Sequence, residues 1–174
     1  MLYTPDDVKP SPDKVRAIEK LEPPKDKKEL HTFLGMAIYM SSFITNLADH
    51  TAPLRNLLKE NVDFAWNPSH SKAFEKVKSW ISTTTTLAYS DRNEPVVLHV
   101  ETSIKGLGAA LFQNNKPIAF ASKALTHAET RYANIERELS AVVYGCEKFH
   151  PYLYGRSFVV KTDHRPLNRS IKRT

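Results

Sequence analysis

The sequence predicts an α/β fold in which a small helical unit precedes a mixed sheet, and three observations carry that prediction. Apolar residues recur at helical spacing as far as about residue 82. Beyond residue 94 the pattern changes to short strand-like runs, with the hairpin signal NNKP between two of them. A long amphipathic stretch then separates those runs from one more. A strand–helix–strand crossover of that kind makes the last strand parallel to an earlier one, most simply the first.

In chain order, residues 1–12 are polar and proline-containing and read as an extended or frayed tail. PDKVRAIEKL spaces Val15, Ile18 and Leu21 by three, and the two prolines of LEPPKDKK end that helix. KELHTFLGMAIYMSSFI reads as a buried helix with Leu30, Phe33, Leu34, Ile38 and Tyr39 on one side. ADHTAPLRNLLKE starts another helix, with Leu54, Leu57 and Leu58 inward. SHSKAFEKVKSWIST repeats the pattern with Phe74, Val77, Trp80 and Ile81. The helical unit therefore spans residues 13–93, closing in the polar, turn-forming TTTTLAYSDRNEP. Residues 94–174 hold the strand runs VVLHV, GLGAALFQ and KPIAFAS, a helix over Tyr132 to Phe149, and a fourth strand, SFVVKTDH. The expected order is β-β-β-α-β with a basic tail beyond it.

Composition narrows the function. The 174 residues suit one sizeable domain or two small ones, and 41% hydrophobic content is ordinary for a globular chain. No apolar run approaches the ~20 residues that span a bilayer, and MLYTPDDVKP is not a targeting segment. These features predict an intracellular protein without membrane contact, with cytoplasm and nucleus not distinguished. A single cysteine suits a reducing compartment and excludes an internal disulfide. The net charge of +6 is uneven: residues 1–93 hold 13 basic and 12 acidic side chains, residues 94–174 hold 12 and 7. From Arg156 onward six basic residues face Asp163 alone. Such asymmetry favours a polyanionic partner, because Lys and Arg that neutralise phosphates release counterions. The alternative is a solubilising basic face.

Three acidic residues are placed for chemistry. Glu101 closes the first strand run, Asp163 closes the fourth, and Glu138 lies in the long helix. At about 100° per residue, Ile135, Leu139, Val142, Cys146 and Phe149 share an apolar face, with Glu138 at its edge, about 20° from Phe149. A carboxylate at the border of a core face needs a partner, whereas Glu136 and Glu147 read as solvated charges. Ligands in α/β sheets gather at the carboxyl ends of strands, and three carboxylates meeting there supply the hard oxygens that Mg²⁺ or Mn²⁺ prefers. Two ions about 3.5–4 Å apart serve phosphodiester hydrolysis. On spacing alone, Glu101 and Asp163 read equally as strand-end turn residues partnered by Ser103 or His164. Other features carry less. The GLG at Gly106–Gly108 opens a strand and not a helix. Asp6–Asp7 sits in a polar tail, and the seven histidines lack i, i+4 pairs. Cys146 falls on the helix core face.

At this point a resemblance enters. DKVRAIEKLEPPKDKKELHTFLGMAIYMSSFITNLADHTAPLRNLLK, then FAW and AFEKVKSWI, resembles the thumb and linking region of gypsy-type LTR retrotransposon and retroviral reverse transcriptases. GLGAALFQNNKPIAFASKALTHAETRYANIERELSAVVYGCEKFHPYLYGRSFVVKTDHRPL resembles their ribonuclease H domain. The similarity covers Val8 to Leu167. It implies a helical thumb or linker over 13–93 and an RNase H-like domain over 94–174, C-terminally truncated. Carried over residue by residue, it implies catalytic and metal-binding roles for Glu101 in HVETS, Glu138 in RELSAV and Asp163 in KTDH, with two Mg²⁺ (or Mn²⁺) ions. The family usually has aspartate at the first of these positions, in a VDAS-like motif, and its fourth ligand has no counterpart up to Thr174. No small-molecule cofactor is implied. The polymerase palm is absent, so RNA-directed DNA synthesis is not expected of this chain.

Two functions are therefore expected. One is hydrolysis of the RNA strand of an RNA–DNA hybrid, by a piece of a longer Pol polyprotein. The other is a catalytically degenerate, connection-like module that binds nucleic acid or scaffolds without cutting.

Overall fold

The computed structural model describes residues 1–83 and 86–162. Asp163 and the basic tail from Arg165 lie outside the described residues. The helical unit comprises α1 (Pro12–Glu19), α2 (Lys27–Tyr39), α3 (Leu47–Asn56) and α4 (Pro68–Ser82). Two of the helix starts are fixed by side-chain caps. Asp26 accepts from Glu29 N at 2.7 Å, and Asn67 accepts from Ser69 N at 2.9 Å while His70 Nδ1 accepts from Asn67 N at 3.2 Å. Leu30, Phe33, Leu34, Leu54, Phe74, Val77 and Ile81 form the core of this unit, with the Phe33 and Phe74 rings 4.5 Å apart. The expected face of α2 is corrected at its end. Ile38 and Tyr39 are exposed, and Ala37 and Met40 are buried instead, because the stripe begun at Leu30 and Phe33 drifts with the 3.6-residue period.

The N-terminal tail is extended and paired, so it does not fray. The strands β1 (Leu2–Tyr3) and β2 (Asp7–Lys9) build a small antiparallel sheet with β3 (Leu87–Ala88), in which Val8 faces Leu87. Leu87 also meets Phe43, from a 3-10 turn at Ser41–Phe43, and Phe120 of the larger sheet. These three buried side chains join the helical unit to the sheet.

The larger sheet contains β4 (Val96–Thr102), β5 (Gly106–Gln113), β6 (Lys116–Ala124) and β7 (Phe158–Thr162), in the order β6-β5-β4-β7. β4, β5 and β6 are antiparallel neighbours, and β7 runs parallel to β4, as the crossover argument requires. Asn114 and Asn115 link β5 to β6 with φ of 50° and 60°, the two positive values of a type I′ hairpin turn. Between β6 and β7 come α5 (Asn134–Lys148) and α6 (His150–Leu153).

α5 corrects the predicted helical phase. Its buried face is Glu138, Ala141 and Gly145, continuing to Phe149, while Ile135 and Leu139 are 39% and 48% exposed. The sheet supplies the bulk at this contact, so the helix presents small residues to it. A methyl on Gly145 would stand 3.1 Å from Leu98 Cδ1 and 3.3 Å from Val100 Cγ1. Gly145→Ala gains about 1 kcal/mol of helix propensity and loses a similar amount to crowding, so its melting temperature should barely move. Gly145→Val is expected to cost about 1–3 kcal/mol by overpacking, read as a lower urea midpoint. Equal midpoints for the two variants would contradict this close approach.

In the helical unit His50 packs against Trp80 with ring centroids 3.4 Å apart and the planes tilted by 39°, and Lys76 lies over the same indole. Burial, and then Lys76, push the His50 pKa down from 6.5 to about 4, against a smaller opposing pull from Asp49. The imidazole is neutral in the fold, while the unfolded chain binds the proton below its ordinary pKa. Stability from this group is therefore complete above about pH 6.5 and is lost as pH falls toward 4. The ring is only half-buried, and solvent screening reduces the loss to roughly 1 kcal/mol. Urea unfolding at pH 7 and pH 4.5 should show a smaller acid loss for His50→Phe than for the parent; identical losses would refute it.

Candidate metal centre and groove at the strand ends

Glu138 is 6% exposed, and both of its carboxylate oxygens are held. Thr102 Oγ1, at the end of β4, donates to Oε1 at 3.0 Å, and Thr162 Oγ1, at the end of β7, donates to Oε2 at 2.7 Å. One helical carboxylate thus ties together the carboxyl ends of two parallel strands, where ligands of α/β sheets collect. The position follows from periodicity. Val96, Leu98, Val100 and Thr102 share the α5 side of β4, as Val160 and Thr162 do on β7. The carboxylate is at the centre of the buried helix face, and not at the edge as the sequence suggests.

Glu101 is exposed and follows the opposite parity. Because its neighbour Thr102 reaches Glu138, the Glu101 side chain leaves the other face of the sheet. There it stands beside Gly108, its partner on β5. The structure therefore fixes Glu138 between two strand ends and places Glu101 on the far face, while Asp163 lies outside the described residues. Among the described residues, no three His, Cys, Asp or Glu side chains stand where they could hold a metal ion. In donor chemistry the acidic residues do fit magnesium. Glu138 offers hard oxygens, and each retains a lone pair beyond its threonine bond.

The far face of the sheet is not bare. A groove of about 350 Å³ runs between it and the turn leading into α3, lined by Thr45, Asn46, His99, Glu101, Phe112 and Lys161. The turn is anchored by the sheet itself: Ala48 N donates to Ser122 Oγ at 3.2 Å, and Ser103 Oγ donates to the Asp49 carboxylate. Glu136, read from the sequence as a solvated charge, closes the N-terminus of α5 by accepting from Ala133 N at 2.7 Å. Sequence reasoning passed over Thr102, Thr162 and Asn46. For the two threonines a signal existed, since each ends the buried parity of its strand.

Residues 66–160 match the family described as the RNase H-like domain found in reverse transcriptase. The chain belongs to that family. The Pol polyprotein of transposon 297 of Drosophila melanogaster is 39% identical over 167 residues, covering 95% of this chain and 16% of the relative. The gypsy Pol polyprotein of the same organism is 31% identical over 183 residues, covering 98% of this chain and 18% of the relative. The RNase H-like chain thus spans less than a fifth of the length of these relatives. A foamy viral protease-reverse transcriptase, solved in complex with an RNA/DNA hybrid, shares the fold with a TM-score of 0.77 at 23% identity, over 88% of this chain and 22% of that one. The mixed sheet with one parallel strand and the crossover helix is the RNase H-like fold. Among the described residues, no helix is long and apolar enough to cross a membrane.

Proposed function

We propose that this RNase H-like chain acts on the RNA strand of an RNA–DNA hybrid by metal-assisted hydrolysis, as part of a Pol polyprotein. The observation that carries the reading is the buried Glu138 carboxylate, held by Thr102 and Thr162 at the ends of β4 and β7. Glu138, with Glu101 and Asp163, would hold Mg²⁺ or Mn²⁺. The ions would supply an activated water and stabilise the leaving oxygen. The part of the chain itself is to present a pre-oriented carboxylate and to grip phosphates with basic side chains, contacts that position a duplex without reading its sequence. The solved complex of the foamy viral enzyme with a hybrid supports this choice of partner.

One observation favours a second reading. Glu101 stands on the exposed face, and Glu138 is already satisfied by two hydroxyls, so the pair also suits a module that binds nucleic acid without cutting it. A labelled RNA strand in a hybrid, incubated with the chain and Mg²⁺ or Mn²⁺, separates the two. Metal-dependent cleavage establishes the enzyme. Binding without cleavage, with cutting restored by Glu101→Asp, establishes the degenerate module. Binding without cleavage in both proteins removes the hydrolytic role of this chain.

A further inference from the structure

We infer that the groove between the helical unit and the far face of the sheet is a binding site for one unpaired nucleotide of a nucleic-acid strand, with preference for guanine. The inference goes beyond the hydrolytic reading and shares Glu101 with it, so its test is run without metal. It begins with Asn46. This residue sits at the N-cap of α3 with φ of 51°, a left-handed conformation unusual for a side-chain-bearing residue. Asparagine at that position normally caps the helix, yet its side chain makes no capping bond. It extends over Gly108, where a methyl group would meet Asn46 Oδ1 at 2.2 Å and Glu101 Cγ at 3.1 Å. The glycine thus leaves room for an amide and a carboxylate side by side at one end of the groove.

The rest of the groove complements them. His99 and Lys161 are direct cross-strand partners on β4 and β7, and both are exposed. They lie two residues along the strand from Glu101, a distance of about 7 Å at ~3.3 Å per residue. An aromatic row forms the floor: His99 and Phe112 have ring centroids 4.8 Å apart, and Phe112 meets Phe120 edge-on at 6.3 Å. The groove volume of about 350 Å³ lies at the small end of ligand sites.

These features select a ligand with a planar apolar body, hydrogen-bond donors at one edge and an anion on the other side. Unpaired nucleotides are recognised in this way, by stacking on aromatic side chains and hydrogen bonds to the base edge. Glu101 is an acceptor only. It suits guanine, whose N1–H and amino group are adjacent donors, and it opposes uracil, whose single N–H is flanked by carbonyls. Lys161 takes the phosphate.

The test is a titration of the purified chain, in the presence of EDTA, with 5′-GMP, 5′-UMP, guanosine and inorganic phosphate, followed by NMR shifts. GMP should bind about tenfold more tightly than UMP, and phosphate alone should not displace it. Lys161→Gln should reduce GMP affinity about tenfold, to the level of guanosine, the usual scale of one charge-assisted contact. Asn46→Gly suits the left-handed backbone, so it should keep the parent melting temperature while weakening GMP. Glu101→Gln should narrow the difference between GMP and UMP. A hybrid with one unpaired guanosine should bind better than a fully paired hybrid. Glu138→Gln should leave GMP affinity unchanged, which separates this site from the carboxylate bridge between β4 and β7. Equal binding of GMP and UMP, displacement by phosphate, unchanged GMP affinity in Asn46→Gly and Lys161→Gln, or no gain from the unpaired guanosine would each overturn the inference.

Discussion

Glu138→Gln is expected to abolish the proposed hydrolysis while changing fold stability by only about 1–2 kcal/mol. The two threonines decide the second half of that expectation. Glutamine retains one carbonyl oxygen to accept from Thr102 or Thr162, and its amino group donates to the other hydroxyl, which rotates to accept. The bridge between β4 and β7 survives with one bond reversed. What is lost is the negative charge and one hard oxygen. Residues that merely support a metal ligand cost about 10–100-fold when removed, so loss of Glu138 in its proposed role as a ligand should exceed about 100-fold. Glu138→Ala differs. It removes the carboxylate that accepts from the buried Thr162 and the half-buried Thr102, at roughly 1–3 kcal/mol for each bond lost. Cleavage of a labelled hybrid and urea unfolding, measured on both variants, check the pair of outcomes. Full activity in Glu138→Gln would remove Glu138 from the site.

The two variants also clarify what the sequence discloses. The sheet order was legible, because hairpin asparagines, period-2 runs and the crossover rule each constrain it independently. Glu138 was legible as a carboxylate on the core side of a helix. Its exact place was not, because large apolar side chains such as Ile135 and Leu139 outline a helix face that the fold leaves exposed. Ala141 and Gly145 mark the buried face instead, since Leu98 and Val100 already fill the space beneath them. The far-face position of Glu101 was legible in principle: a strand that buries Val96, Leu98 and Val100 must send residue 101 the other way. Asn46 was not legible, since neither its left-handed backbone nor its approach to Gly108 leaves a periodic trace. The pairing of residues 7–9 with Leu87–Ala88 is non-local and short, and no turn signal announces it.

Phe43→Ala is the second large effect, and it tests whether the helical unit and the sheet act together. Phe43 is 3% exposed and packs with Leu87 and Phe120 in a small buried cluster separate from the two larger cores. Truncating a buried phenylalanine costs about 3–5 kcal/mol through lost transfer energy and the cavity left behind. At this position the loss should fall on the contact between units more than on either core. The Phe33–Phe74 pair in one core and the packing of Leu98 under α5 in the other remain intact. Hydrogen exchange is therefore expected to accelerate most in β1 to β3 and in the turn holding Asn46, and least in α4 and β4. A uniform acceleration would show that Phe43 serves the whole fold equally. The groove borders the same turn, so GMP affinity should fall together with protection there. The carboxylate bridge at Glu138 spans only α5, β4 and β7, and it should not follow.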